Sequence, residues 1–272
     1  MSTFTTTDGT TIFYKDWGTG RPVVFSHAWP LNADVWDNQL RLLAEHGYRA
    51  IAHDRRGHGR SDQPWQGNDM DTYADDLAQL VEHLGLADAV LVGHSIGGSE
   101  VVRYLGRYGT GRVARAVLLG AAPSLTLRTD ADPDGPDREA LDGLRRELGT
   151  DRSQLYRDLS EEFYGTDDVE ATVSQGLRDA FWLMGMAVGG KAAYDFVEQF
   201  WETDFTEDLR RIRIPVLVAH GDEDHFVPVG AAHRSVQLLP NATLKVYPGA
   251  PHGLSGAFEE EFTADLLDFV KR

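Results

Sequence analysis

LVGHSIGGSE, residues 91–100, joins the end of the apolar run DAVLV, 88–92, to the start of the helix-like EVVRYLGRY, 100–108. Gly93, Ser95 and Gly97 set a serine in a G-x-S-x-G frame at what reads as a strand-to-helix turn. Such a turn strains the serine and projects its hydroxyl, so the residues two before and two after it must be small for strand and helix to approach. Both are glycine here, and Gly98 adds clearance. Structural turns imitate this pattern by chance. The strand before it and the helix after it make Ser95 a candidate nucleophile.

Outward from this turn, apolar strands are expected near 22–26, 48–53, 89–93, 113–119, 214–220 and 243–247. A hairpin signal, TTDGTT at 6–11, joins 3–7 to 11–17 and adds an antiparallel edge. Between the strands lie amphipathic stretches such as Tyr73, Leu77, Leu80, Val81 and Leu84, spaced for one face of a helix. This alternation predicts an α/β fold whose sheet is mainly parallel and covered on both sides.

The alternation breaks between about 124 and 205. TDADPDGPDREALDG, residues 129–143, reads as an acidic loop punctuated by Pro and Gly. Helical stretches follow at Leu141–Leu148, Ser153–Phe163, Val169–Val188 and Lys191–Trp201, with no good strand among them. The expected organisation is a core of residues 1–123 and 205–272 with a helical cap, 124–204, inserted in it as part of one structural domain. The cap carries Phe163, Tyr164, Phe181, Trp182, Tyr194, Phe196, Phe200 and Trp201, aromatic residues able to pack its interior or to line an apolar pocket over the sheet edge.

The 272 residues suffice for one large α/β domain. A formal net charge of −17 disfavours nucleic-acid and anionic-membrane partners, because the summed field repels polyanions. The absence of cysteine excludes disulfides, thiolate metal sites and cysteine nucleophiles. No secretory signal pattern is visible at the N-terminus and no stretch is apolar enough to span a bilayer, so a cytoplasmic protein is expected.

A serine hydroxyl needs a base held in place by a third group. In the order Ser, Asp, His, the acid is sought after a late strand. IPVLVAHGDEDHFVP, residues 214–228, offers Asp224 in a G-x-x-D frame, with Asp222 as a rival better suited to organising the turn. LKVYPGAPHGLS, residues 244–255, puts His252 in a turn after the last strand, a placement that none of the other nine of the ten histidines shares. His94 is expected to point away from substrate and to pack or bond locally. His53 ends a strand and His58 belongs to the following turn. None of the histidines pairs at metal-ligand spacing, and no metal is expected.

Acyl transfer also needs donors for a tetrahedral oxyanion, one of them the N–H of the residue after the serine, Ile96. The second is sought in the loop after strand 22–26, in SHAWP, residues 26–30, where Trp29 is the candidate. Each such donor contributes about 2.7–4 kcal/mol in measured cases.

Taken together, TTDGTTIFYKDWG, FSHAWPLNADVW, AHDRRGHGRSDQP, NDMDTYADDL, VGHSIGG, ETDFTEDL and LKVYPGAPHGL resemble the α/β-hydrolase fold. More narrowly they resemble its bacterial cofactor-free haloperoxidases, also called perhydrolases or arylesterases, which include γ-lactamases. The resemblance runs from about residue 3 to 271. It implies a mostly parallel eight-stranded sheet, Ser95 as nucleophile, His252 as base, Asp224 as its orienting acid, and an oxyanion hole of Trp29 and Ile96. Phe226 and Val227 match positions bordering the acyl pocket. It further implies an acyl-enzyme formed from a small ester or carboxylic acid and attacked by water or hydrogen peroxide, the resulting peracid oxidising halide away from the enzyme. No cofactor is implied, and a homo-oligomer is.

Pro30 lacks an N–H and biases Trp29 towards an extended conformation. In the family a Trp-Pro pair looks like the perhydrolase version, in which the Trp29 carbonyl accepts a hydrogen bond from attacking peroxide; otherwise Pro30 only stiffens the loop. Two positions depart from the family pattern. Ala28 stands where glycine is usual, which would bring strain if φ there were positive. Ile96 replaces threonine or methionine and is expected to narrow the acyl side. The alternatives are a γ-lactamase or amidase on the same triad, or a ligand sensor retaining hydrolase parts. Dehalogenase and epoxide-hydrolase chemistry would need aspartate at position 95.

Overall fold

The computed structural model describes residues 1–121, 123, 135, 137–165 and 173–272, apart from the side chains of 198, 200 and 257. Residues 129–134 and 136 of the acidic loop, the start of the helix expected at Val169 and the side chain of Phe200 therefore lie outside the described residues.

The eight strands are β1 (Ser2–Thr5), β2 (Thr11–Gly18), β3 (Pro22–Ser26), β4 (Arg49–His53), β5 (Ala89–His94), β6 (Val113–Leu119), β7 (Val216–Gly221) and β8 (Ala242–Tyr247). They form one sheet in the order β1-β2-β4-β3-β5-β6-β7-β8. β1 and β2 are the antiparallel edge expected from the hairpin, and β2 also meets β4 antiparallel. All other neighbours are parallel. The strand boundaries match the sequence reading to within two residues because β-branched and aliphatic runs between turn residues mark doubly covered strands clearly.

Alternate strand residues feed two cores. Val23, Phe25, Val90 and Val92 pack on one face with Leu40 and Leu43 of α1 (Asp37–Glu45) and Phe262 and Leu266 of the C-terminal helix Gly256–Lys271. Val24 and Leu91 pack on the other with Leu77 and Val81 of α2 (Met70–His83) and Val101 and Val102 of α3 (Ile96–Tyr108).

The cap holds α4 (Arg138–Phe163), α5 (Gln175–Met186) and α6 (Gly190–Glu202), leading to α7 (Thr206–Arg211) and the core. The two stretches expected at 141–148 and 153–163 are the halves of α4. Asp151 breaks it at φ −145°, ψ 76°, and its Oδ1 accepts from the Gln154 N–H at 3.0 Å, capping the second half. After β7 comes α8 (Val229–Leu238), and the C-terminal helix is α9. Among the described residues, no helix is long and apolar enough to cross a membrane.

The chain passes from β3 to β4 on one side and then to β5 on the other side of β3. Such a reversal leaves a crevice at the carboxyl ends of the strands, the usual ligand position in open α/β sheets. Ser26 pairs with Gly93 across β3 and β5, so the segment after Ser26 and the turn at Ser95 emerge side by side.

Candidate active site

Ser95 has φ 54° and ψ −121°; among the described residues only Asp88 is a second non-glycine with positive φ. A conformation of this kind costs about 1–3 kcal/mol and persists only where the surroundings enforce it. The Ser95 N–H donates to Leu119 O at 2.9 Å, and its carbonyl accepts from the Gly98 N–H at 2.9 Å. The flanking glycines are required by contact, since neither has positive φ. A Cβ on Gly93 would lie 2.2 Å from Gly97 O, and one on Gly97 would lie 2.2 Å from Ser26 O. The second contact involves the end of β3, a neighbour that the local steric argument did not include.

Asp224 and His252 meet as the sequence reading expects. His252 Nδ1 donates to Asp224 Oδ2 at 2.7 Å. Asp224 Oδ1 accepts from the backbone N–H groups of Phe226, at 3.0 Å, and Val227, at 2.8 Å. Burial raises the pKa of this carboxyl, but the charge of His252 and hydrogen bonds from His220 and His252 outweigh it and hold it below the usual range. An ionised Asp224 keeps the proton on His252 Nδ1, leaving Nε2 as the basic nitrogen. Phe226 stacks on the His252 ring at 5.3 Å between centroids and Phe163 meets it edge-on at 5.2 Å. Asp222 takes the turn role: its Oδ1 accepts from the Gly249 N–H at 2.6 Å.

Sequence reasoning missed one histidine here and gave another a narrower role than it has. His220, at the end of β7, donates through Nε2 to Val227 O at 2.8 Å and lies 3.3 Å from Asp224 Oδ2. No spacing signal marks it. His94, expected to pack or bond locally, packs against Trp36 and Phe163, and its Nε2 also donates to His252 O at 2.9 Å, across 158 positions. Burial, reinforced by the nearby His252, pushes the His94 pKa down to about 3 and keeps the ring neutral.

Trp29 and Ile96 bracket the same crevice. As the first residue of α3, Ile96 has an N–H without an intrahelical acceptor. Among the described residues, no protein acceptor meets the Trp29 N–H. The Trp29 ring stacks on Phe196 of α6, with centroids 4.4 Å apart and planes 5° apart, and meets Tyr156 of α4 edge-on at 5.6 Å. The Trp29–Pro30 peptide bond is cis. Ala28 does not have positive φ, so the strain considered for it is absent.

A cavity of about 90 Å³ opens on Ser95 and His252. Trp29, Pro30, Phe226 and Val227 line it, as do the cap residues Phe163, Phe181, Phe196 and Trp201. Of the seven cap aromatics whose side chains are described, four thus face the site. Tyr194 is exposed instead, and Tyr164 borders a separate depression. The Ile96 side chain is buried in the core and does not line the cavity, contrary to the expected narrowing.

A sheet with a serine elbow, an Asp–His pair and a helical cap defines an α/β hydrolase, and the family model described as alpha/beta hydrolase fold matches residues 21–255. Within that fold the chain belongs to the family of the non-heme haloperoxidases and perhydrolases. It is 56% identical to a non-heme chloroperoxidase of Streptomyces lividans and 47% identical to a bifunctional esterase/perhydrolase of Acinetobacter calcoaceticus, each match covering 100% of both chains. The crystal structure of a bromoperoxidase from Bacillus anthracis superposes with a TM-score of 0.94 at 36% identity, also over 100% of both chains.

Proposed function

We propose that this hydrolase transfers small acyl groups through Ser95, His252 and Asp224, cleaving carboxylic esters and converting acyl groups to peracids with hydrogen peroxide. The observation that carries the reading is the convergence of a strained Ser95 and an Asp224-bound His252 on one apolar cavity.

Ser95 Oγ attacks the acyl carbon while His252 Nε2 takes its proton. The carbonyl oxygen becomes an oxyanion facing the N–H groups of Trp29 and Ile96. Collapse expels the alcohol, which takes the proton from His252, and leaves the acyl group on Ser95. Water then yields the carboxylic acid; hydrogen peroxide yields the peracid. In either case His252 removes the attacking proton and returns it to Ser95. A released peracid transfers an oxygen atom to bromide or chloride in solution, giving carboxylate and hypohalous acid. Trp29 and Pro30 line the cavity, and we assign Pro30 and the Trp29 carbonyl the choice between water and peroxide. The acyl side is bounded by Phe226, Val227 and the cap aromatics, a surface suited to a short apolar acyl group.

Rates measured side by side for a short phenyl ester, a bicyclic γ-lactam, and acetate plus hydrogen peroxide with a bromination reporter test this reading. Ester cleavage and bromination should both exceed lactam opening. Turnover of the lactam alone would contradict it.

A further inference from the structure

Beneath the loop that carries Trp29 lies a buried ionic cluster with no part in the steps above. Glu100 of α3 is 0% exposed and Arg55, in the turn after β4, is 1% exposed. Arg55 Nε donates to Glu100 Oε2 at 2.7 Å, and Arg55 Nη2 lies 2.6 Å from the same oxygen. Arg55 Nη2 also donates to His27 O at 2.8 Å. The His27 ring is engaged at both nitrogens: Nε2 accepts from the Arg55 N–H at 3.0 Å and Nδ1 donates to Ala28 O at 2.9 Å. Glu100 Oε1 accepts from Ser26 Oγ at 3.2 Å and from His53 Nε2 at 3.0 Å. Ser26 and His27 are thus fixed from below, and the His27 ring in turn holds the Ala28 carbonyl.

The other end of the cluster is the helix that begins at Ile96. Glu100 lies one turn beyond Ile96 on the same face of α3. Gly97, between them, rests directly against the Ser26 and His27 carbonyls, which would lie 2.2 and 2.9 Å from an added Cβ. A buried ion pair is often no more stabilising than apolar residues of similar volume. Fold stability alone is therefore a poor account of this one, and its geometry suggests another.

We propose that Arg55 and Glu100 are positioning residues: they clamp the His27 carbonyl to α3 and so fix the spacing at which the Trp29 and Ile96 N–H groups converge on one oxygen. The inference rests on the assignment of those two donors made above. Removing a donor outright costs about 10²–10³ in kcat in measured cases, and a displaced donor loses part of that.

Two variants test it. Arg55→Lys keeps the charge opposite Glu100 but cannot reproduce the guanidinium fork that spans Glu100 and His27 O. Arg55→Met/Glu100→Leu removes both charges together and so avoids stranding either one. For each, phenyl acetate turnover is normalised to titrated Ser95, and inhibition by phenylboronic acid, whose serine adduct places an oxygen in the hole, is measured with the unfolding midpoint. The expected result is a fall of about tenfold or more in both kcat and kcat/KM, KM little changed, and boronate affinity weakened in parallel. Wild-type kcat and boronate affinity per titrated serine in either folded variant would overturn the proposal. So would a loss confined to the number of titratable sites, the signature of a merely structural role. Failure of the wild type to turn over ester would overturn the underlying donor assignment, and the clamp's role with it.

Discussion

The ring of His94, beside the nucleophile, donates to the backbone carbonyl of His252 at 2.9 Å, and the two rings lie 4.9 Å apart. The elbow is thereby tied to the loop that presents the base. Replacing His94 by Leu strands a buried carbonyl, a loss of about 1–3 kcal/mol. It should lower the urea midpoint accordingly and reduce kcat more than it changes KM, because the His252 loop loses its anchor. His94→Gln, which can still donate, should lose less on both measures.

Asp222 and Asp224 lie two residues apart and should separate cleanly. Asp224→Asn leaves the shape of the site intact but no longer holds His252 in the right tautomer, and kcat should fall about 10⁴-fold, as for the equivalent change in other triads. Asp222→Asn keeps an oxygen for the Gly249 N–H and should change stability by no more than about 0.5 kcal/mol. Steady-state ester kinetics on the two variants distinguish the roles.

Ala28→Gly should bring no gain. With φ outside the left-handed region, the methyl group imposes no backbone strain. Glycine adds freedom to the unfolded chain, a destabilisation of about 0.4–1 kcal/mol, and also removes a buried methyl, a further ~0.8 kcal/mol. Increased activity in Ala28→Gly would show that the methyl group does displace the Trp29 donor.

Acid should destabilise the protein from mildly acidic pH downward. His58 and His94 are pushed from 6.5 to about 3, chiefly by burial, helped by the Arg55 charge at His58 and by His252 at His94; His27 shifts the same way. Below pH 6.5 the unfolded chain protonates His58 and His94, and the folded chain does not until about pH 3. The stabilisation is therefore full above 6.5 and is lost as pH falls through that window, at about 1.4 kcal/mol per pH unit for each ring. Glu100 adds a further loss at lower pH: burial raises its pKa, but Arg55 and His53 outweigh this and hold it at about 2 against an ordinary 4.5. Urea unfolding at pH 8, 6 and 5 measures the slope, and His58→Gln should reduce it by one proton.

The sheet was legible because its parallel strands are largely apolar runs bounded by turn residues and its edge pair flanks an Asp-Gly turn, and Ser95, Asp224 and His252 because each stands in a short motif after its strand. Other parts of the site have no such local signature. His220 and His94 are set by contacts between distant segments. Glu100 lies in a helical run where acidic residues usually face solvent, and only the fold brings Arg55 to it. The cap aromatics share a helical spacing that suits core and cavity alike, so Phe196 under Trp29 and exposed Tyr194 could not be told apart without the packing. The two halves of α4, by contrast, were separable in sequence, and the non-helical Asp151 between them keeps them apart in the structure.

The central claim is that Ser95 carries the acyl group in both reactions, and Ser95→Ala tests it most directly, with phenyl ester cleavage and peroxide-dependent bromination measured on the same folded preparation. Both rates should drop to background together. Either activity persisting at the wild-type rate would contradict the account.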